Sequence, residues 1–156
     1  MLIDSHCHLD KPAQTGGLDA LLQRAREAGV EQLITVGTST DDWRLYERLA
    51  ASHPGVIAHT AGLHPNHVEE DWNEQVTALS GFFGGDNPPC ALGEIGLDHF
   101  RLPKYPDEAA EVKQRQEAAL ARQLELALQF DCPVVVHSRG CFGETVRVID
   151  ESGVDW

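Results

Sequence analysis

Leu2-Ile3-Asp4-Ser5, then Leu18-Asp19-Ala20-Leu21-Leu22-Gln23-Arg24-Ala25-Arg26-Glu27-Ala28-Gly29, then Gln32-Leu33-Ile34-Thr35-Val36 read in order as strand, helix and strand. In the middle segment Leu18, Leu21, Leu22, Ala25 and Ala28 recur on one helical face, and Gly29 can stop the helix by turning left-handed without a Cβ clash. The flanking runs are short and apolar, as strands buried in a sheet are. Further β-like runs follow at residues 56–60, 90–93 and 133–137. Thr40 reads as an N-cap before the acidic first turn of Asp41 and Asp42, and Leu45, Tyr46 and Leu49 then share a face until Pro54. Residues 107–130 predict a long helix with Val112, Ala119, Leu120, Leu124, Ala127 and Leu128 inside and charged and amide residues outside. Pro103 and Pro106 keep the segment before it a loop. Residues 143–152 predict a last helix, with Val146 and Ile149 on one face and a stop at Gly153. Such alternation predicts a parallel α/β fold with helices outside the sheet, either an open doubly wound sheet or a (β/α)8 barrel.

At 156 residues and 42% hydrophobic content the chain can bury one ordinary core, and residues 1–156 are expected to form one domain. The longest apolar runs, such as Pro133-Val134-Val135-Val136, fall far short of the roughly 20 residues a bilayer span needs. No membrane partner is expected. Met1-Leu2-Ile3-Asp4 offers neither a basic leader nor a long apolar stretch, which predicts a cytoplasmic protein. Cys7, Cys90, Cys132 and Cys141 are unevenly spaced without a CxxC pair, which suits reduced thiols. A formal net charge of −13 and a pI near 4.8 argue against a broad basic surface for nucleic acid, so such a substrate would have to be held locally.

His6 and His8 stand two residues apart at the end of the first predicted strand, projecting to one face with Cα atoms about 6.6 Å apart. Two imidazoles so placed suit zinc, nickel, manganese or iron at adjacent coordination positions; the other reading is a pair of hydrogen-bonded strand-end histidines. Asp4 favours ligation, because a nearby carboxylate can orient a ligating ring. Glu94 lies among small and apolar residues, where burial without a partner is costly. That partner is either a metal or an arginine, and a carboxylate has two oxygens with which to bridge two cations. His137 ends the fifth run. His6, His8, Glu94 and His137 all fall at C-terminal strand ends, which face a common crevice in parallel α/β folds. That coincidence marks them as candidate ligands. His64, in Gly62-Leu63-His64-Pro65, either positions substrate or braces its loop. His59 is expected to point into packing, and His53, His67 and His99 lack a ligand spacing. Arg139, Arg101 and Lys104 lie in loops of the same face, where a guanidinium can clamp a phosphate; Lys104 reads as solvated surface.

Asp4-Ser5-His6-Cys7-His8-Leu9-Asp10, Gly62-Leu63-His64-Pro65, Gly93-Glu94-Ile95-Gly96-Leu97-Asp98 and Pro133-Val134-Val135-Val136-His137-Ser138-Arg139 together resemble the TatD deoxyribonuclease family in identity, order and spacing. The resemblance covers essentially the whole chain but only about the first three-fifths of such a family member. It implies a (β/α)8 TIM-type barrel of the amidohydrolase-like superfamily, with about five β/α units present here. It also implies that His6 and His8 bind one metal, that Glu94 bridges two, and that His137 binds the second. A further histidine ligand from the sixth strand and an aspartate from the eighth are implied beyond this chain, which would make the chain a fragment. His99-Phe100 and Gly140-Cys141 depart from the family pattern, at positions that bear on substrate more than on metal.

The activity implied is metal-dependent hydrolysis of DNA phosphodiester bonds from a 3′ end, with single-stranded ends as partner and two divalent ions (Mg, Mn or Zn) as cofactors. Glu94, His64 and Arg139 are the catalytic candidates, and Arg139 and Arg101 the substrate-binding ones. Two alternatives remain at this point: hydrolysis of a small ester, lactone or amide on the same scaffold, and an inactive fragment. No protein partner is expected unless a separate C-terminal portion completes the barrel.

Overall fold

All five β-like runs form strands in the computed structural model, which describes residues 2–155. They are β1 (Leu2–Cys7), β2 (Val30–Thr35), β3 (Ile57–Ala61), β4 (Ala91–Asp98) and β5 (Val134–Arg139). All neighbours pair in parallel, in the order β1-β2-β3-β4-β5. A doubly wound sheet needs a reversal of strand order. Here each strand pairs with the next in sequence, so successive right-handed crossovers carry the helices to one side. The sheet therefore curls into half of a (β/α) barrel.

The helices are α1 (Asp10–Gln14), α2 (Leu18–Glu27), α3 (Thr40–Ser52), α4 (Trp72–Phe83), α5 (Pro106–Phe130) and α6 (Phe142–Ser152), with a short 3-10 turn at Pro65–His67. Two buried clusters join them to the sheet. Leu9, Leu18, Tyr46, Leu49, Ala50 and Ile57 fill the side nearer β1 and β2. The larger cluster packs Trp43 of α3, Val76, Leu79 and Phe82 of α4, and Ala119, Leu120 and Leu124 of α5 against Leu92, Ile95 and Leu97 of β4. Among the described residues no helix is long and apolar enough to cross a membrane.

Four local features differ from the sequence expectation. Helix α4 has no counterpart in it, because only Val76, Leu79 and Phe82 mark its buried face and Gly81 interrupts the pattern. The cap of α3 is Ser39 rather than Thr40, and Asp42 accepts bonds from the backbone N–H groups of Thr38 and Ser39. Strand β4 continues past Gly93 to Asp98. Its glycines mark close approach to neighbouring strands: a Cβ on Gly93 would lie 2.6 Å from that of Val135, and Gly96 backs onto the carbonyl of His137.

The fourth difference concerns the faces of α5. Gln116 and Gln123 lie on its buried side, 3% and 1% exposed, while Leu128 is 50% exposed. Each glutamine serves backbone that the strands leave unpaired where they end. The Gln123 amide accepts from Leu63 N–H (2.7 Å) and donates to Leu63 C=O (3.1 Å). Gln116 accepts from Asp98 N–H (3.0 Å) and donates to Pro65 C=O (3.2 Å). A buried polar side chain is stable where every group it meets is paired.

Candidate metal centre

Glu94 owes its position to a break in strand register. Gly93 lies opposite Val135 and Ile95 opposite Val136, so Glu94 is an extra residue with no partner on β5. Its N–H instead donates to Gly37 C=O, at 2.7 Å. A bulge of this kind re-aims one side chain. The Glu94 carboxylate, 11% exposed, reaches two imidazoles at once: Oε2 is 3.5 Å from His6 Nε2 and Oε1 is 3.1 Å from His137 Nδ1.

The four histidines come from three places in the chain: the end of β1, the segment after β3, and β5. A register irregularity lies between Asp4 and Cys7, and beyond it the His6 and His8 rings meet edge to face with centroids 5.4 Å apart. His8 Nδ1 lies 3.1 Å from Val36 C=O. Since a carbonyl only accepts, Nδ1 carries the proton and Nε2 keeps its lone pair for a ligand. Asp4 does not orient either ring; its carboxylate accepts from the His6 backbone N–H, at 3.1 Å.

His64 is 8% exposed and its ring sits 4.4 Å from that of His137. Its Nδ1 accepts from Asn66 N–H, at 3.1 Å. A neutral imidazole that accepts at Nδ1 carries its hydrogen on Nε2, so in this arrangement His64 is a donor through Nε2. Burial, reinforced by the neighbouring His137 and opposed by Glu94, pushes its pKa down to about 4.

Asp98, four residues after Glu94 on the same strand, is the best-bonded carboxylate of the site, and its side chain is fully buried. Arg139 donates to it through Nε (3.0 Å) and Nη2 (2.5 Å), His137 Nε2 stands 3.2 Å away, and Phe100 N–H donates at 3.0 Å. Burial alone would raise its pKa. The bonds from Arg139 and Phe100 N–H, the Arg139 charge and the His137 bond outweigh that and bring it down to about 2. The Arg139 guanidinium also lies 4.8 Å from the centre of the Phe100 ring.

Two groups of side chains have candidate ligand atoms mutually within 4.8 Å: His6, His8 and Glu94, and His64, Glu94 and His137; in the second, His64 has its Nδ1 lone pair taken by Asn66 N–H and its hydrogen on Nε2, which leaves Glu94 and His137 as the donors. Glu94 belongs to both. Mixed imidazole and carboxylate donors suit divalent transition ions, and a tetrahedral site with bonds of about 2.1 Å separates its donors by roughly 3.4 Å. The 3.1 and 3.5 Å separations around Glu94 match that spacing, so these residues fit a divalent cation. The structure thus brings His6, His8, Glu94, His137, His64 and Arg139 together. It does not bring in Arg101, which is exposed after β4, nor His59, which is 2% exposed and whose Nε2 has no partner. Asp98 had no role in the sequence reading. Its signal was an acid in an apolar strand, even-spaced from Glu94 and thus on the same face.

The chain is similar to known proteins in sequence and in fold. The family model described as TatD related DNase matches residues 3–155. The human deoxyribonuclease TATDN3 is 30% identical over 99% of this chain and 58% of its own length. The uncharacterised metal-dependent hydrolase YjjV of Escherichia coli K12 is 36% identical over 88% of this chain and 50% of its own. The 3′-5′ ssDNA/RNA exonuclease TatD of Dickeya dadantii is 36% identical over 78% of this chain and 43% of its own. The crystal structure of the E. coli TatD homologue YjjV superposes with a TM-score of 0.81 at 30% identity, over 97% of this chain and 56% of that one. The chain thus spans about half the length of the curated relatives it matches.

Proposed function

The chain belongs to the TatD-related DNase family, and from that premise we propose that it carries the metal-binding half of a nuclease site that hydrolyses DNA phosphodiester bonds from a single-stranded 3′ end. The observation that carries the reading is the shared carboxylate: one oxygen of Glu94 faces His6 and the other faces His137. On this reading His6, His8, Glu94 and His137 hold two divalent cations. Bound there, such ions supply Lewis acidity that activates water and offsets charge on the phosphate.

The chain's own side chains divide the remaining work. His64 offers its Nε2–H to an oxygen of the substrate, and the pull of burial keeps the ring neutral at pH 7. Arg139, held by Asp98 through Nε and Nη2, keeps its Nη1 edge for a phosphate. Phe100 and Tyr105 are 74% and 69% exposed in the loop that follows β4, and Phe142 is 75% exposed at the start of α6. Exposed rings beside a phosphate-cleaving centre suit the stacking of unpaired bases, which a duplex would withhold. Arg101, in the same loop as Phe100, serves at most the outlying backbone. The four free cysteines accord with a cytoplasmic setting.

The test is metal content and nuclease rate of the wild type against Glu94→Gln, measured on a 3′-labelled single strand with Mn²⁺ or Zn²⁺. The expected loss in affinity exceeds the roughly 10- to 100-fold typical of a residue that only supports a ligand. Unchanged metal content and rate would sink the reading. If the chain alone is inactive yet binds metal through Glu94, adding the C-terminal remainder of the barrel should restore the rate. The acidic balance of −13 favours a second substrate class, a small ester, lactone or amide. Turnover of such a compound without cleavage of single-stranded DNA would establish that alternative.

A further inference from the structure

We infer that Asp98 is the positioning residue of the metal centre: it holds His137 by Nε2 so that Nδ1 is the nitrogen offered to the cation beside Glu94, and it holds Arg139 in the same grip. The inference rests on the metal-site reading above and adds to it the residue that fixes the ring of His137 and the guanidinium of Arg139.

The ring of His137 lies between two carboxylates. Nε2 is 3.2 Å from Asp98 Oδ2, and Nδ1 is 3.1 Å from Glu94 Oε1. The two sides are not equivalent. Asp98 is fully buried, belongs to no group of ligand atoms among the described residues, and its oxygens are already engaged by Arg139 and by Phe100 N–H. It is therefore a fixed acceptor, turned away from the cation position. Glu94 is the residue common to both donor groups. A cation beside Glu94 would be held by the lone pair of the His137 nitrogen that faces Glu94, which would leave the proton on the nitrogen that faces Asp98. A carboxylate behind a ligating imidazole fixes its tautomer and orientation and raises its basicity.

Arg139 makes the arrangement stiff. Two N–H groups of one guanidinium grip Asp98 in a planar fork, and β-ladder register places Asp98 directly opposite Arg139 and Gly96 opposite His137. Gly96 leaves the space against the His137 backbone that any Cβ would fill. Gln116 fixes the Asp98 backbone from α5, accepting from its N–H at 3.0 Å. Two elements far from Asp98 in sequence, β5 and α5, thus converge on it, joined by the nearby Phe100 N–H.

Two measurements on the Zn²⁺-loaded protein test the inference. Two-bond ¹⁵N–¹H correlation spectra of the histidine rings should show His137 protonated at Nε2 and coordinated at Nδ1; coordination through Nε2 would overturn it. Titration with Zn²⁺ alone should show Asp98→Asn binding about 10- to 100-fold more weakly than wild type, with its urea midpoint recorded so that loss of fold is seen separately. Arg139→Met should keep the Nδ1 coordination while loosening Zn²⁺ less than Asp98→Asn does. A wild type that binds Zn²⁺ through Glu94 while Asp98→Asn binds it equally well refutes the role of Asp98 alone. A wild type whose Zn²⁺ uptake is indifferent to Glu94→Gln refutes the metal site itself.

Discussion

Replacing Gln123 by methionine keeps the length and flexibility of the side chain and removes its amide. In the wild type that amide serves both backbone groups of Leu63, accepting from the N–H at 2.7 Å and donating to the C=O at 3.1 Å. Gln123 is 1% exposed and Leu63 is fully buried, so water cannot easily replace either bond. A buried donor or acceptor left without a partner costs about 1–3 kcal/mol, so the two together cost about 2–6 kcal/mol. Burying a thioether in place of an amide returns part of this, and the net loss is about 2–4 kcal/mol. That is a large share of the roughly 5–15 kcal/mol that holds a domain folded. With a urea slope of about 2 kcal/mol per molar, the midpoint should fall by about 1–2 M. The assay is urea unfolding followed by circular dichroism on metal-free protein, with Gln114→Met as control, since Gln114 is exposed on the same helix. A Gln123→Met midpoint equal to the control's would refute the reasoning. Either the bonds would not form, or the Leu63 backbone would reach water without them.

The glycines of the sheet and of the helices should respond in opposite senses. Gly96→Ala, at φ +144° with the His137 carbonyl in the way, should cost more than about 3 kcal/mol, whereas Gly81→Ala in α4, with open space around it, should gain about 0.5–1 kcal/mol; equal urea midpoints for the two would contradict the close approach of β4 to β5. His59 is held below its ordinary pKa by burial, with Glu47 partly opposing. The unfolded chain then takes up more protons than the folded one as pH falls through about 6.5, so stability is full above that pH and declines below it. His59→Leu should therefore gain on the wild type more at pH 5 than at pH 8, and a gain independent of pH would show that the ring is not buried neutral. Phe100→Ala should weaken binding of a single-stranded oligonucleotide by about 1–3 kcal/mol, read by fluorescence anisotropy at 4 °C before cleavage, and should leave duplex affinity unchanged; no loss on single strands would exclude the ring as a stacking surface.

The alternation of apolar runs was enough to recover every described strand, although only β4 is buried along its whole length and β1 is largely exposed. It was not enough to choose the architecture. Barrel and doubly wound sheet differ in strand order, a non-local property that no window of residues records; the resemblance of the motifs carried that choice. The ligand candidates were legible as well. His6 and His8 stand where β1 runs out, whereas Glu94 and His137, expected at strand ends, lie within β4 and β5; a parallel fold still gathers the C-terminal halves of its strands on one side. What could not be read was anything set by register. The bulge at Glu94 exists only relative to β5, and β4 looked finished at Gly93 because its glycines are there to admit β5. Gln116 and Gln123 were placed outside α5 because amides ordinarily are. Their partners are backbone groups at strand ends, which have no letter in a sequence.

The acidity of the chain and a phosphate substrate are compatible once charge is counted at the site instead of over the surface. With histidines taken as neutral, the residues of the cluster contribute one negative charge from Glu94 and one from Asp98, and Arg139 cancels the second through the bonds it makes. Asp98 remains ionised there because those bonds outweigh its burial and hold its pKa near 2. The centre is thus close to −1 on its own and repels a phosphate only weakly. Two divalent cations held by the same donors would bring +4, turning the local field strongly positive. Neutral imidazoles are what make this reversal large, since they bind cations without cancelling their charge. A site built from carboxylates alone would hold its ions as firmly and leave a phosphate far less to be attracted by.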